Sequence, residues 1–162
     1  MLVLATAAGG CAESGGTGSP AMPLVTGDGP PVWPFWPMRM RLHPLSRLVT
    51  NPETGETVIE VRIELFDDTG DTVKGIGLVR INLHEIPLPE GGGSVSEMPV
   101  ATWNRDLRDL ELNELHFDDV TRTYLFRLEV DEAQLPPAAE LRGYFASTDG
   151  RLLQADLVLR ME

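Results

Sequence analysis

TVIEVRIELFDDTGDTVKGIGLVRINLH, residues 57–84, is the stretch that decides the fold class of this chain. In its first arm Ile59, Val61, Ile63 and Leu65 alternate with Glu60, Arg62 and Glu64, the period-two pattern of a strand with one face on a core and one in water. The second arm repeats it, with Val79, Ile81 and Leu83 alternating with Arg80, Asn82 and His84. Between the arms, Asp67-Asp68-Thr69-Gly70-Asp71 supplies the Asp and Gly that a tight reversal needs. The stretch is therefore expected to form one long β-hairpin. Gly75 and Gly77 interrupt the second arm around Ile76, which predicts a bulge or a close backbone approach.

Working outward, Met38-Arg39-Met40-Arg41-Leu42 alternates and predicts a first strand ended by Pro44. A loop over 45–56 follows, carrying the turn signal Asn51-Pro52-Glu53-Thr54-Gly55. Beyond the central stretch, Pro87, Pro89 and Gly91-Gly92-Gly93 predict a mobile loop, and 100–107, with Trp103 at its centre, a strand. Residues 110–117 read as a short strand or an irregular crossover. Over 123–130, Tyr124, Phe126, Leu128 and Val130 share a face, and Tyr124 stands where a tyrosine corner would require one. Residues 141–147 and 152–160 form a closing hairpin around Thr148-Asp149-Gly150-Arg151. Seven or eight strands at spacings of about ten residues, with no amphipathic helix, predict an all-β chain, an antiparallel immunoglobulin-like β-sandwich. Unequal loops and uneven strand lengths favour the sandwich over a closed barrel.

At 162 residues the chain is long enough for one domain with a substantial core. Its formal net charge of -12 repels a phosphate backbone, and the basic residues, of which only Lys74 is a lysine, form no cluster. Nucleic acid is therefore not an expected partner. No stretch approaches the ~20 apolar residues of a membrane-spanning helix.

The lone cysteine, Cys11, ends the apolar and small-residue run Met1-Leu2-Val3-Leu4-Ala5-Thr6-Ala7-Ala8-Gly9-Gly10. That run resembles a bacterial lipoprotein signal, in which Cys11 is lipidated and becomes the mature N-terminus. Ala8 stands where Leu is usual, no basic residue precedes the run, and it is short, so the native start is expected upstream of Met1. Residues 12–32, rich in Gly, Ser, Thr and Pro, read as a flexible tether of roughly 25 Å reach. This divides the chain into a truncated signal and tether, 1–32, and a β-sandwich domain, 33–162.

The domain opens on Trp33-Pro34-Phe35-Trp36-Pro37, whose prolines enforce extended backbone. These rings are expected to pack over the mouth of the core. Trp33, Phe35 and Trp36, with Trp103, are also the candidates for stacking on a ligand or sugar ring.

The acidic turns at Asp67, Asp68 and Asp71, at Asp118 and Asp119, and at Asp149 are the candidates for calcium. If every strand reverses the chain, with 110–117 counted as a strand, Asp118 and Asp149 lie at one end and Asp67 at the other. No convergent site and no metal are then expected. His43, His84 and His116 lack metal-ligand spacing, and His84 is expected to face solvent beside Arg80 and Asn82. There is no nucleophile elbow, and Ser94 and Ser96 lie in a glycine loop. A pair of carboxylates for glycoside hydrolysis has no legible position, because its separation is a property of the fold. Glu60, Arg62, Glu64, Arg80 and Asn82 are expected to form a solvated face with cross-strand charge pairs.

The Ala8-Gly9-Gly10-Cys11 leader, Arg41-Leu42-His43-Pro44-Leu45, and Glu60-Val61-Arg62-Ile63-Glu64-Leu65-Phe66-Asp67 followed by Gly70 and Lys74 together resemble small lipoproteins of Gram-negative, GC-rich bacteria such as planctomycetes. The resemblance implies one immunoglobulin-like domain on a tether and brings no activity, cofactor or functional residues. The expected function is a non-enzymatic binding or structural module of the cell envelope. A lipid on Cys11 would hold it to the outer membrane or the periplasmic face of a membrane, with an envelope protein or glycan as partner. The alternatives are a carbohydrate- or ligand-binding sandwich using the aromatics and a carboxylate-dependent hydrolase.

Overall fold

The computed structural model of the chain describes residues 35–87 and 98–159. Cys11, the tether, Trp33 and the triple-glycine loop lie outside them. Among the described residues nine strands form two antiparallel sheets: β1 (Arg39–Leu42), β2 (Arg47–Thr50), β3 (Thr57–Phe66), β4 (Gly77–Glu85), β5 (Ala101–Asp106), β6 (Phe117–Asp118), β7 (Thr123–Glu129), β8 (Ala139–Ser147) and β9 (Leu152–Leu159). One short helix, α1 (Leu110–His116), separates β5 from β6. The first sheet has the order β1-β3-β7-β6, with β2 also on β3, and the second the order β5-β4-β8-β9.

Strand alternation explains the core. Ile59, Val61, Ile63 and Leu65 of β3, with Tyr124, Phe126 and Leu128 of β7, face Val79, Ile81 and Leu83 of β4 and Leu141 and Phe145 of β8, all buried. Each fully buried aliphatic side chain contributes about 1.5–3 kcal/mol.

The central stretch is not a hairpin. β3 pairs with β1, β2 and β7, whereas β4 pairs with β5 and β8 in the other sheet. Inward alternation on both arms satisfies either arrangement, and the connection decides between them. Asp67 Oδ1 accepts hydrogen bonds from the backbone N–H groups of Thr69, Gly70 and Asp71 and from the Thr69 hydroxyl, closing the acidic turn at the end of β3. The chain then crosses the end of the core through Gly75, where a Cβ would stand 2.6 Å from Leu65 Cδ1 and 2.7 Å from Phe145 Cζ. The glycines serve the predicted close approach, but as part of an arch between sheets.

The hairpin that does involve β3 is β2–β3, closed by the Asn51–Gly55 turn, with Gly55 N donating to Asn51 O at 2.8 Å and Asn51 N to Glu56 O at 2.8 Å. Residues 47–50, expected as loop, are therefore a strand. The expected closing hairpin forms as β8–β9.

Of residues 110–117, expected as a strand or crossover, Leu110–His116 form α1 and Phe117 opens β6. Asp109 caps it, accepting from Glu111 N at 2.9 Å and Leu112 N at 3.3 Å. Its buried residue is Asn113 rather than a leucine. Tyr124 is buried as expected, but its hydroxyl bonds to Gly75 and Asn113, distant in sequence, so it is not a tyrosine corner.

Candidate functional site

The helix changes where the acidic turns lie. β5 runs towards the end of the molecule that holds the β3–β4 arch, because β4 and β5 are antiparallel with Leu78 opposite Asp106. A helix that does not traverse the sandwich leaves the chain there, so the turn at Asp118 adjoins the arch, with Arg122 Nη2 donating to Thr72 O at 2.8 Å. The β8–β9 turn joins them, with Thr148 N donating to Ile76 O at 3.1 Å. The expected split of the acidic turns between two ends is thus overturned. Their proximity does not make a cation site, since no group of three or more His, Cys, Asp or Glu positioned to hold a metal occurs among the described residues. Each carboxylate instead has a local task. Asp67 closes its turn, and its pKa is lowered, first by the Thr69 hydroxyl. Asp118 accepts from Arg62 Nη1 at 2.9 Å and is held at about 2, first by that bond. Asp149 pairs with Arg151 at 3.2 Å.

The expected polar face is divided as well. Glu60, Arg62 and Glu64 lie on the first sheet, where Glu60 meets Arg127 at 3.2 Å and Glu64 accepts from Arg41 Nε at 2.6 Å. Arg80 and Asn82 lie on the second. His84, expected in solvent, is buried opposite Glu140 on the β4–β8 ladder.

Among the described residues the candidate aromatics Phe35, Trp36 and Trp103 do not form one platform. Phe35 and Trp36 line a groove at the arch end with Lys74, Ile76, Leu110 and Glu114. Trp103 is half-buried against the core on β5, its Nε1 donating to Glu129 O at 3.2 Å, at the far end of β7.

The concavity that stands apart is on the outer face of the second sheet. The registers place Asp106, Leu78, Ala146 and Leu152 in one row across β5-β4-β8-β9, and Asn104, Arg80, Tyr144 and Gln154 in the next. Leu78 is 44% exposed and Leu152 68%, and together with Ala146 and Tyr144 they line a shallow groove of about 600 Å³. Its polar rim is Arg80, Asn82 and Asn104. Arg80 Nε donates to Asn104 Oδ1 at 3.2 Å, and Asn82 Oδ1 accepts from the Thr102 hydroxyl at 3.1 Å. Arg62, Arg127 and Arg142 each face a carboxylate, whereas Arg80 has none among the described residues. Asp106, at the end of the first row, is taken by Arg108 at 2.6 Å and is held at about 2, first by that hydrogen bond. The groove therefore combines an apolar floor with a guanidinium that meets no carboxylate among the described residues.

Reading the sequence by alternation missed Leu78, Tyr144, Ala146 and Leu152. The available signal was doubling: Leu78-Val79 and Leu152-Leu153 put apolar side chains on both faces of a strand where one face should be polar. Comparison with protein-family models, curated proteins and solved structures finds no match for the chain.

Proposed function

We propose that this protein is a non-enzymatic binding module of the bacterial cell envelope, held to a membrane by a lipid on Cys11. Its recognition surface is the outer groove of the second sheet, and it takes an apolar group that carries an anion or hydrogen-bond acceptor. The observation that carries this reading is the row Leu78, Ala146 and Leu152 beside Tyr144 and Arg80, which meets no carboxylate among the described residues. Exposed leucines on the water-facing side of a sheet are costly to leave uncovered, and a guanidinium beside them supplies orientation. The immunoglobulin-like assignment is supported by strand order. β1/β2-β3-β7-β6 opposite β5-β4-β8-β9 follows that fold's ABED sheet and its CFG sheet extended by C′.

The test of the groove uses 8-anilinonaphthalene-1-sulfonate, an apolar ring system with one sulfonate. Saturable single-site fluorescence is expected, weakened about tenfold, or about 1.4 kcal/mol, by Leu78→Ser combined with Arg80→Gln. Absence of saturable binding, or equal binding by the variant, overturns the reading. The anchor is tested by intact mass after expression in a lipoprotein-competent bacterium from the native upstream region. A chain starting at Cys11 with added diacylglycerol and acyl mass, lost in Cys11→Ala, is expected. An unmodified chain retaining Met1 overturns it.

A further inference from the structure

The groove of the second sheet does not end at Leu78. Gly75 and Gly77 would each direct a Cβ at Phe145 Cζ, at 2.7 and 2.9 Å, so both face the core and Ile76 between them points outward, to the side of Leu78. Thr148 N donates to Ile76 O at 3.1 Å, one residue beyond the Gly77–Ser147 pair, so this backbone continues the line of β4. Ile76 is 40% exposed and lines the arch-end groove with Phe35, Trp36 and Leu110. Leu78 and Ile76 therefore join two apolar grooves, each of about 600 Å³, into one track. It runs from Arg80 past Leu78 to Ile76, about 13 Å of extended chain, and on to the first turn of α1.

The polar groups along this track select what can lie in it. Its amide and carboxylate groups already accept: Asn104 Oδ1 from Arg80, Asn82 Oδ1 from the Thr102 hydroxyl, Asn113 Oδ1 from Tyr124, and Glu114 from Lys74 Nζ at 2.6 Å. Its donors are spare. Arg80 uses only Nε, and Nδ2 of Asn82 and of Asn104 has no partner among the described residues. A sugar or a peptide backbone brings donors of its own all along its length, which this track would leave unpaired, whereas an acyl chain brings none. A carboxylate brings only acceptors and suits a guanidinium flanked by amide N–H groups. Resting on the groove reading above, we propose that the ligand is a long-chain carboxylate. Its head group meets Arg80, Asn82 and Asn104, and its chain lies over Leu78 and Ile76 as far as Leu110.

The test is equilibrium dialysis of the full chain against sodium octanoate and sodium dodecanoate, each below its micelle concentration. One saturable site per chain is expected, with dodecanoate bound at least about tenfold more tightly because the longer chain reaches Ile76 and Leu110. Ile76→Ser with Leu110→Ser brings dodecanoate to the affinity of octanoate, and Arg80→Gln weakens both acids about tenfold. These side chains are exposed, far-UV circular dichroism confirms that the variants fold, and the comparison of chain lengths needs no variant. Equal affinity for the two acids, or binding by the Arg80→Gln chain at the parent strength, overturns the proposal. Saturable binding of 8-anilinonaphthalene-1-sulfonate that dodecanoate does not displace also overturns it, while leaving the groove reading in place. If neither the dye nor the acids bind, both fall.

Discussion

Tyr124 brings a phenol to the end of the core, where Gly75 N donates to its oxygen at 2.9 Å and its hydroxyl meets Asn113 Oδ1 at 2.9 Å. Asn113 Nδ2 in turn donates to Gly75 O and Leu107 O, both at 2.8 Å. Two side chains thus satisfy the backbone of the arch and of the segment after β5, where water cannot reach. Tyr124→Phe removes the acceptor and leaves the Gly75 N–H and the Asn113 oxygen unpaired, at an expected cost of about 1–3 kcal/mol. Asn113→Ala removes the side-chain donor to Leu107 O and the nearer of two donors to Gly75 O, which the Tyr124 hydroxyl also reaches at 3.3 Å, at a similar cost, and the double variant loses less than the sum because the two residues form one network. Urea unfolding of the three variants measures this, and additive losses would refute the shared network. Burial raises the tyrosine pKa to about 12 from 10.0. Between those values the unfolded chain has lost the phenol proton and the folded one keeps it. Stability therefore falls as pH rises through that window, and Tyr124→Phe flattens the fall.

At the scale of elements, the arch between β3 and β4 is what makes two sheets from a sequence that alternates like a hairpin. It depends on Gly75 and Gly77, whose absent side chains leave room for Leu65, Phe145 and the Ala146 carbonyl. Gly75→Ala forces Leu65 and Phe145 from their places and is expected to cost about 1–3 kcal/mol, read as a lower Tm. An unchanged Tm would mean that the arch relaxes freely. The strands themselves were legible because an inward Ile, Val or Leu at every second position is a local pattern, as in β3 and β4. Pairing was not, since partners such as Val61 and Phe126 are remote in sequence. β2 was lost because Arg47-Leu48-Val49-Thr50 sets two apolar residues side by side and shows no alternation. The helix was lost because it inverts the usual pattern: Leu110 and Leu115 face outward while Asn113 is buried to serve the arch. Taking those residues as a strand in turn moved the Asp118 and Asp149 turns to the wrong end, so one local misreading became a global one. The recognition groove was hidden for a related reason. Leu78 is indistinguishable from a core leucine until β4 is known to turn that position away from the core.

At the scale of the molecule, stability should pass through a maximum in mildly acidic solution. From neutral pH downward, protonation reduces the self-repulsion of a chain with 25 acidic and 13 basic residues, which favours the compact state. His116 opposes this gain. Burial lowers its pKa from 6.5, so the unfolded chain takes up that proton first and some stability is lost as pH falls past 6.5. Further down, Asp118 and Asp106, both held at about 2, and Asp67, also lowered, bind protons more readily unfolded than folded. The stability they contribute is present above the ordinary carboxylate range, near 3.8, and disappears as pH falls through 2. Asp118 is the most consequential of the three, because its partner Arg62 also donates to the hydroxyls of Thr121 and Thr123, tying the middle of β3 to the β6–β7 turn. The urea midpoint is therefore expected to peak near about pH 5 and to fall steeply below pH 4. Asp118→Asn should be less stable than the parent at neutral pH and lose less on acidification. Added salt should raise the midpoint at pH 7 more than at pH 5, because only at pH 7 is there a large net charge to screen. A midpoint that keeps rising down to pH 3 would mean that relief of repulsion outweighs the specific carboxylate bonds, and that the acidic turns are held by backbone geometry rather than by charge.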